Sequence, residues 1–125
     1  MARSMTLMLG GKDYELVANW KASMAIAETV MDPLVMVKDA TLAKHFANSP
    51  HLYTPRFEFT IQNIAQIIHC ALRANGHELT LEQVGEAIVN DGPDEHMVKA
   101  GDFVGMLVTN GSDEVEGGKA TSGKS

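Results

Sequence analysis

The groups with chemistry to offer are few: five histidines, one cysteine and scattered carboxylates. The histidines are His45, His51, His69, His77 and His96, and no two stand four apart. That spacing is what puts two imidazoles on one helical face to hold zinc. His69 adjoins Cys70, but neighbouring helical residues point about 100° apart and do not form a nucleophile–base pair. His69 therefore reads as a surface or core-edge residue, and the other histidines as loop or surface residues. Cys70 reads as a small buried hydrophobe. Glu82 and Glu86 share one helical face, where they would repel or recruit a cation; a solvated face is the simpler reading. The terminal Gly123-Lys124-Ser125 matches the end of a phosphate loop, with no strand before it and no helix after it. The chain is read as a non-enzyme: no catalytic residue, no cofactor and no metal site is expected.

The methionines are more informative. There are eight, and Met5, Met8, Met24, Met31, Met36, Met97 and Met106 fall mostly within apolar patterns. Methionine fills irregular cores, and it also builds adaptable binding surfaces. Core is the default, and a protein-binding groove is the functional alternative. Its candidate residues are Trp20, Met24, Met31, Met97 and Met106. Trp20 is expected in the core where the hairpin meets the first helix, or else as an interface anchor.

Several elements must position these groups. Thr6-Leu7-Met8-Leu9, Gly10-Gly11-Lys12-Asp13 and Tyr14-Glu15-Leu16-Val17-Ala18 read as a hairpin, with Tyr14, Leu16 and Ala18 on one face. A lone hairpin is marginal in water, so it must pack on helices, pair with a third strand, or pair with another chain, self-association included. Asn19 caps a first helix with Trp20, Met24, Ala27 and Met31 on one face and Ile26 and Val30 beside it. Asp32-Pro33 interrupts it. A second helix runs from Leu34 to about Phe46, with Leu34, Val35, Val37, Leu42 and Phe46 as its apolar positions.

A punctuated loop follows through Pro50 and Pro55, and Phe57-Glu58-Phe59 is either a short strand or a first helical turn. Thr60 or a residue just before it caps a helix striped with Ile61, Ile64, Ile67/Ile68 and Leu72, closed by Asn75-Gly76. Thr80 and Gln83 form a capping box for a fourth helix that buries Leu81, Val84, Ala87 and Ile88. Asn90-Asp91-Gly92 ends it. Pro93 opens a fifth helix with Met97, Val98, Phe103, Val104, Leu107 and Val108 as apolar residues. Gly101 and Gly105 weaken that helix or admit close packing. The expected fold is α+β, mainly α: an N-terminal β-hairpin and about five helices. Residues 1–110 form one domain, and 111–125 a disordered Gly/Ser/acidic tail.

Composition narrows the classes. Ten Lys and Arg stand against sixteen Asp and Glu, a net charge of −6. Residues 1–110 carry −5 of it, from eight basic and thirteen acidic side chains. Such a surface argues against a nucleic-acid partner, which needs cations to displace counterions. A single cysteine excludes an internal disulfide. No apolar run reaches the ~18 residues that cross a bilayer, and the apolar stretch near Met1 is too short for a signal peptide. A soluble protein in a reducing cytoplasm, without a membrane partner, is expected.

The order of motifs is Leu7-x-Leu9-Gly10-Gly11-Lys12-x-Tyr14-x-Leu16, a helix and a linker, then Ile64-x-x-Ile67-Ile68-x-x-Ala71-Leu72-Arg73-Ala74-Asn75-Gly76 and Leu79-Thr80-Leu81-Glu82-Gln83-Val84-Gly85-Glu86. This resembles the small tail-assembly proteins of siphophages and gene transfer agents, a family labelled both tail assembly chaperone and tail tube protein. The resemblance covers roughly residues 5–110 and departs at the Asn48–Pro55 insert. It implies a chaperone that coats the tape-measure protein, recruits tail-tube protein, acts in the cytoplasm of the host bacterial cell and is absent from the mature virion. It offers no catalytic residues. Two other readings stay open: a structural tail component such as a tube or connector subunit, and a small regulatory binding module. The last is disfavoured as a DNA reader, because the would-be recognition helix carries Glu82 and Glu86 and no cation.

Overall fold

The computed structural model describes residues 3–109. Strands β1 (Arg3–Leu9) and β2 (Lys12–Ala18) precede five helices: α1 (Trp20–Thr29), α2 (Pro33–His45), α3 (Ile61–Ala74), α4 (Leu81–Asp91) and α5 (Pro93–Val108). The fold is α+β and mainly α, an N-terminal hairpin followed by helices. The tail expected over 111–125 lies outside the described residues.

The hairpin forms because both central turn residues tolerate positive φ. Gly10 and Gly11 have φ of 59° and 82°, as a two-residue primed turn requires. The register pairs Leu7 with Tyr14 and Met5 with Leu16. Side chains then alternate, and Leu7, Leu9 and Leu16 are buried. The sheet has two strands among the described residues, and its inner face packs on α3, α4 and α5. Of the three outlets open to a lone hairpin, packing on helices is the one seen.

Helix α3 is the hub, touching α1, α4, α5 and β2. It buries Ile64, Ile67, Ile68 and Leu72. Thr60 caps it, its hydroxyl accepting from Asn63 N at 3.1 Å. At the other end Asn75 caps the helix and also grips the hairpin. Its amide oxygen accepts from Val17 N at 2.9 Å, and its amide nitrogen donates to Val17 O at 3.3 Å and Ala71 O at 2.8 Å. Ile61, counted in the buried stripe, is exposed instead. It occupies the first helical turn and lines a shallow cleft with Gly85 and Val89 of α4.

The capping box of α4 is complete. Gln83 N donates to the Thr80 hydroxyl at 3.0 Å, and Thr80 N donates to Gln83 Oε1 at 2.9 Å. Val84 and Ile88 are buried as expected, whereas Leu81 at the first helical position is exposed. Thr80→Ala is expected to cost about 1 kcal/mol. Urea unfolding should show a lower midpoint at an unchanged slope.

Two helices turn differently from expectation. In α1 the buried residues are Ala22 and Ile26, and Trp20 is 76% exposed. Ala22 lets the helix lie close on α3 and leaves no room there for an indole, so the Trp20–Met24 stripe faces outward. In α2 the inward residues are Pro33, Met36 and Asp39. Leu34, Val35 and Leu42 are exposed. The helix is apolar on several sides, and its orientation is set by Asp39, which must meet the loop after it. Phe57-Glu58-Phe59 is neither strand nor helix. It is a loop whose two rings meet edge to face at 5.0 Å. A Cβ added at Gly101 would sit 3.7 Å from the Phe59 ring, an ordinary contact, so close packing does not require a glycine here.

Candidate protein-binding surface

The five residues singled out by sequence do not form one site. On α1, Trp20 and Met24 (38% exposed) stand four positions apart on one outward face. Met31 lies beyond the end of α1, its N–H bonded to Ile26 O at 3.1 Å, and is partly buried against the core. Met97 and Met106 lie on α5, nine positions apart. At about 100° per residue that places them on opposite faces. Met97 is exposed, and Met106 packs against the core. The structure therefore pairs Trp20 with Met24, leaves Met31 at the core edge beyond α1, and sets Met97 and Met106 on opposite faces of α5.

A second apolar recess of about 380 Å3 lies between α2, α5 and the loop before α3. Met36, Ala40, Ala43, Phe57, Phe59 and Val104 line it. Its wall is held by Asp39, a buried carboxylate that the sequence pattern did not mark. Asp39 accepts hydrogen bonds from the Tyr53 hydroxyl, from Arg56 N at 2.9 Å and from Phe57 N at 3.1 Å. One side chain on a regular helix thus fixes a long loop. The Tyr53 bond, then the Arg56 amide, hold the Asp39 carboxyl below its ordinary range against the opposing effect of burial. The same bond pushes the Tyr53 phenol up. The available signal was a lone acidic residue on the apolar side of α2, three positions after Met36.

His96 corrects a second expectation. It was placed at the surface and is 2% exposed. Its Nε2 donates to Asp91 Oδ2 at 2.9 Å, and the same oxygen accepts from Gly10 N at 2.8 Å. The pair ties the hairpin turn to the α4–α5 junction. The Gly10 amide, then His96, hold the Asp91 carboxyl down. With Asp91 ionised, the Nε2 that meets it carries a proton, and Nδ1 is the ring's other polar atom. That Nδ1 meets no partner among the described residues. This is a structural clamp between the hairpin and the helices.

Cys70 is buried, and desolvation pushes its thiol up, away from the reactive thiolate. His69 is half-buried, at the core edge. Glu82 and Glu86 are exposed on α4. Among the described residues no group of three or more His, Cys, Asp or Glu is placed to hold a metal, and no helix is long and apolar enough to cross a membrane.

No protein-family model, curated protein or solved structure matches the chain. The fold itself defines the class: a small α+β protein, mainly helical, whose most distinctive surface is the outward apolar stripe of α1.

Proposed function

We propose that the chain is a tail assembly chaperone. It binds the tape-measure protein in the host cytoplasm, aids addition of tail-tube protein, and leaves before the virion matures. One observation carries the binding part of this reading. A tryptophan, three-quarters exposed, heads a methionine-bearing helical face that no described residue covers. Exposed aromatic and methionine side chains are what interfaces use as anchors and adaptable contacts. The phage assignment is supported by the motif run from the Gly10-Gly11 hairpin to the Thr80 capping box.

The rival structural reading relies on an open sheet edge that could extend into a ring or tube. The outer edge of β2 is already occupied: Asn75 takes both backbone groups of Val17, and His77 Nε2 lies 3.4 Å from Glu15 O. That closes the β2 edge to strand addition and leaves the tube reading only the β1 edge. A regulatory role on DNA finds no support in an α4 surface bearing Glu82 and Glu86.

Co-expression with the tape-measure protein encoded beside this chain tests the proposal. The expected result is a soluble complex that a Trp20→Ala, Met24→Ala double variant weakens by about 30-fold or more, the scale of an interface hot spot. Both side chains are exposed, so the variant keeps its fold. Equal solubility of the tape measure without this chain, and no complex, would sink the reading.

A further inference from the structure

The charges of α1 are reversed for a helix standing alone. Lys21 lies in the first turn and Glu28 in the last, with no acidic residue in the first turn and no basic residue in the last. A helix end favours the opposite sign at each place. Such a local conflict points to a compensating interaction outside the element. Neither side chain makes an ion pair or hydrogen bond with another described residue.

Both face one groove. Asn75, at the end of α3, bonds Val17 just before α1 begins, and Thr29, at the end of α1, stands against the Cys70 thiol. The two helices are thus antiparallel. Between them runs a half-open groove of about 490 Å3 lined by Lys21, near the start of α1, Glu28, near its end, and Arg73 of α3. Small side chains, Ala25, Cys70 and Ala74, line it between. Lys21 and Glu28 are seven positions apart, two turns or about 10 Å along the same face. Met24 lies between them, and Trp20 and Met24 form the adjoining apolar border.

This pattern is complementary to itself. We propose that the α1 face seats a second copy of this chain, with the two α1 helices antiparallel about a two-fold axis beside Met24 and Ala25. Lys21 and Arg73 of one copy then meet Glu28 of the other, and the reverse pair forms on the far side of the axis. The apolar border of each copy covers that of its neighbour. A two-fold interface demands a patch that pairs with its own rotated image, and one cationic and one anionic end on a single face meet that demand. The dimer covers the surface assigned above to partner binding, so a partner would compete with self-association. The inference itself needs no partner and stands or falls separately.

Sedimentation equilibrium on the full chain tests it. At about 200 μM and ~50 mM salt, the expected mass is twice the 13.5 kDa of one chain. Lys21→Glu and Glu28→Lys each place like charges across the axis and should weaken association by about tenfold. Each also suits the helix dipole, so neither threatens folding. The decisive result is rescue. Mixing the two single variants, or combining both substitutions in one chain, should restore association to within about threefold of wild type. A monomeric wild type overturns the proposal. So does association that the single variants leave unchanged, or that the double substitution fails to restore, since either places the contact on another face.

Discussion

Phe103→Ala is expected to lower the unfolding free energy by about 3–5 kcal/mol. Phe103 is among the largest fully buried side chains, at 1% exposure. It lies on α5 between Ala100 and Val104, both buried in the same core cluster as Leu7, Leu16 and Ile67. Those neighbours come from a hairpin and from α3, whose positions are fixed by the Asn75–Val17 bonds and by the Asp91–Gly10 contact. The space left by the ring therefore cannot close by sliding one element. A cavity of that kind adds its own cost to the lost transfer energy. A domain this size has about 5–15 kcal/mol in total, so the variant should stand near its threshold at 37 °C. Urea unfolding measures it, and a loss below about 1 kcal/mol would show that the core around α5 repacks freely.

How far the sequence discloses this fold depends on whether a signal is local. Caps and turns are. Asn19, Thr60, Thr80, Asn75 and Pro93 act within a few residues of themselves, and each marks its helix end as the sequence implies. The stripe of α3 is equally legible, because four large aliphatic residues at helical spacing admit one buried face. Helices α1 and α2 are not legible in that way. Each carries apolar residues on more than one face, so periodicity leaves the rotation about the axis open. Small residues decide it in α1 and one carboxylate in α2. The role of Asp39 and the burial of His96 escape the sequence for a related reason. Their partners are a loop tyrosine and two amides in one case, and an aspartate held by a hairpin amide in the other. No spacing rule joins residues that only the tertiary fold brings together. For the candidate surface, sequence offers residue types without their placement. The fold puts Trp20 and Met24 on one outward face of α1, and Met97 and Met106 on opposite faces of α5.

Asp39→Asn is expected to release the segment between α2 and α3. The native carboxylate meets three donors, the Tyr53 hydroxyl and the amides of Arg56 and Phe57. An asparagine offers one oxygen, and its NH2 would face donors. Exchange of the Arg56 and Phe57 amides should rise by about 100-fold or more, while that of α3 stays protected. Unchanged exchange at both amides would mean that apolar packing of Phe57 and Phe59, and not Asp39, holds the loop. Acid should act on the same latch. The Asp39 carboxyl is held down in the fold, chiefly by Tyr53, so the unfolded chain takes up the proton first as pH falls. Its contribution is whole above the ordinary carboxylate value and is lost as pH drops through the lower folded value. Asp91 is shifted in the same direction by Gly10 and His96, so the Asp39→Asn variant should keep part of the acid sensitivity. The Tyr53 phenol is pushed the other way. Its contribution is whole below the ordinary tyrosine value and disappears as pH rises through the higher folded one. Ultraviolet titration should therefore show a tyrosine ionising late in the wild type, and Asp39→Asn should bring that tyrosine back toward its ordinary value. Because the carboxylate and the phenol hold each other, one substitution should alter the loop's response at both ends of the pH scale, which loss of packing alone would not do.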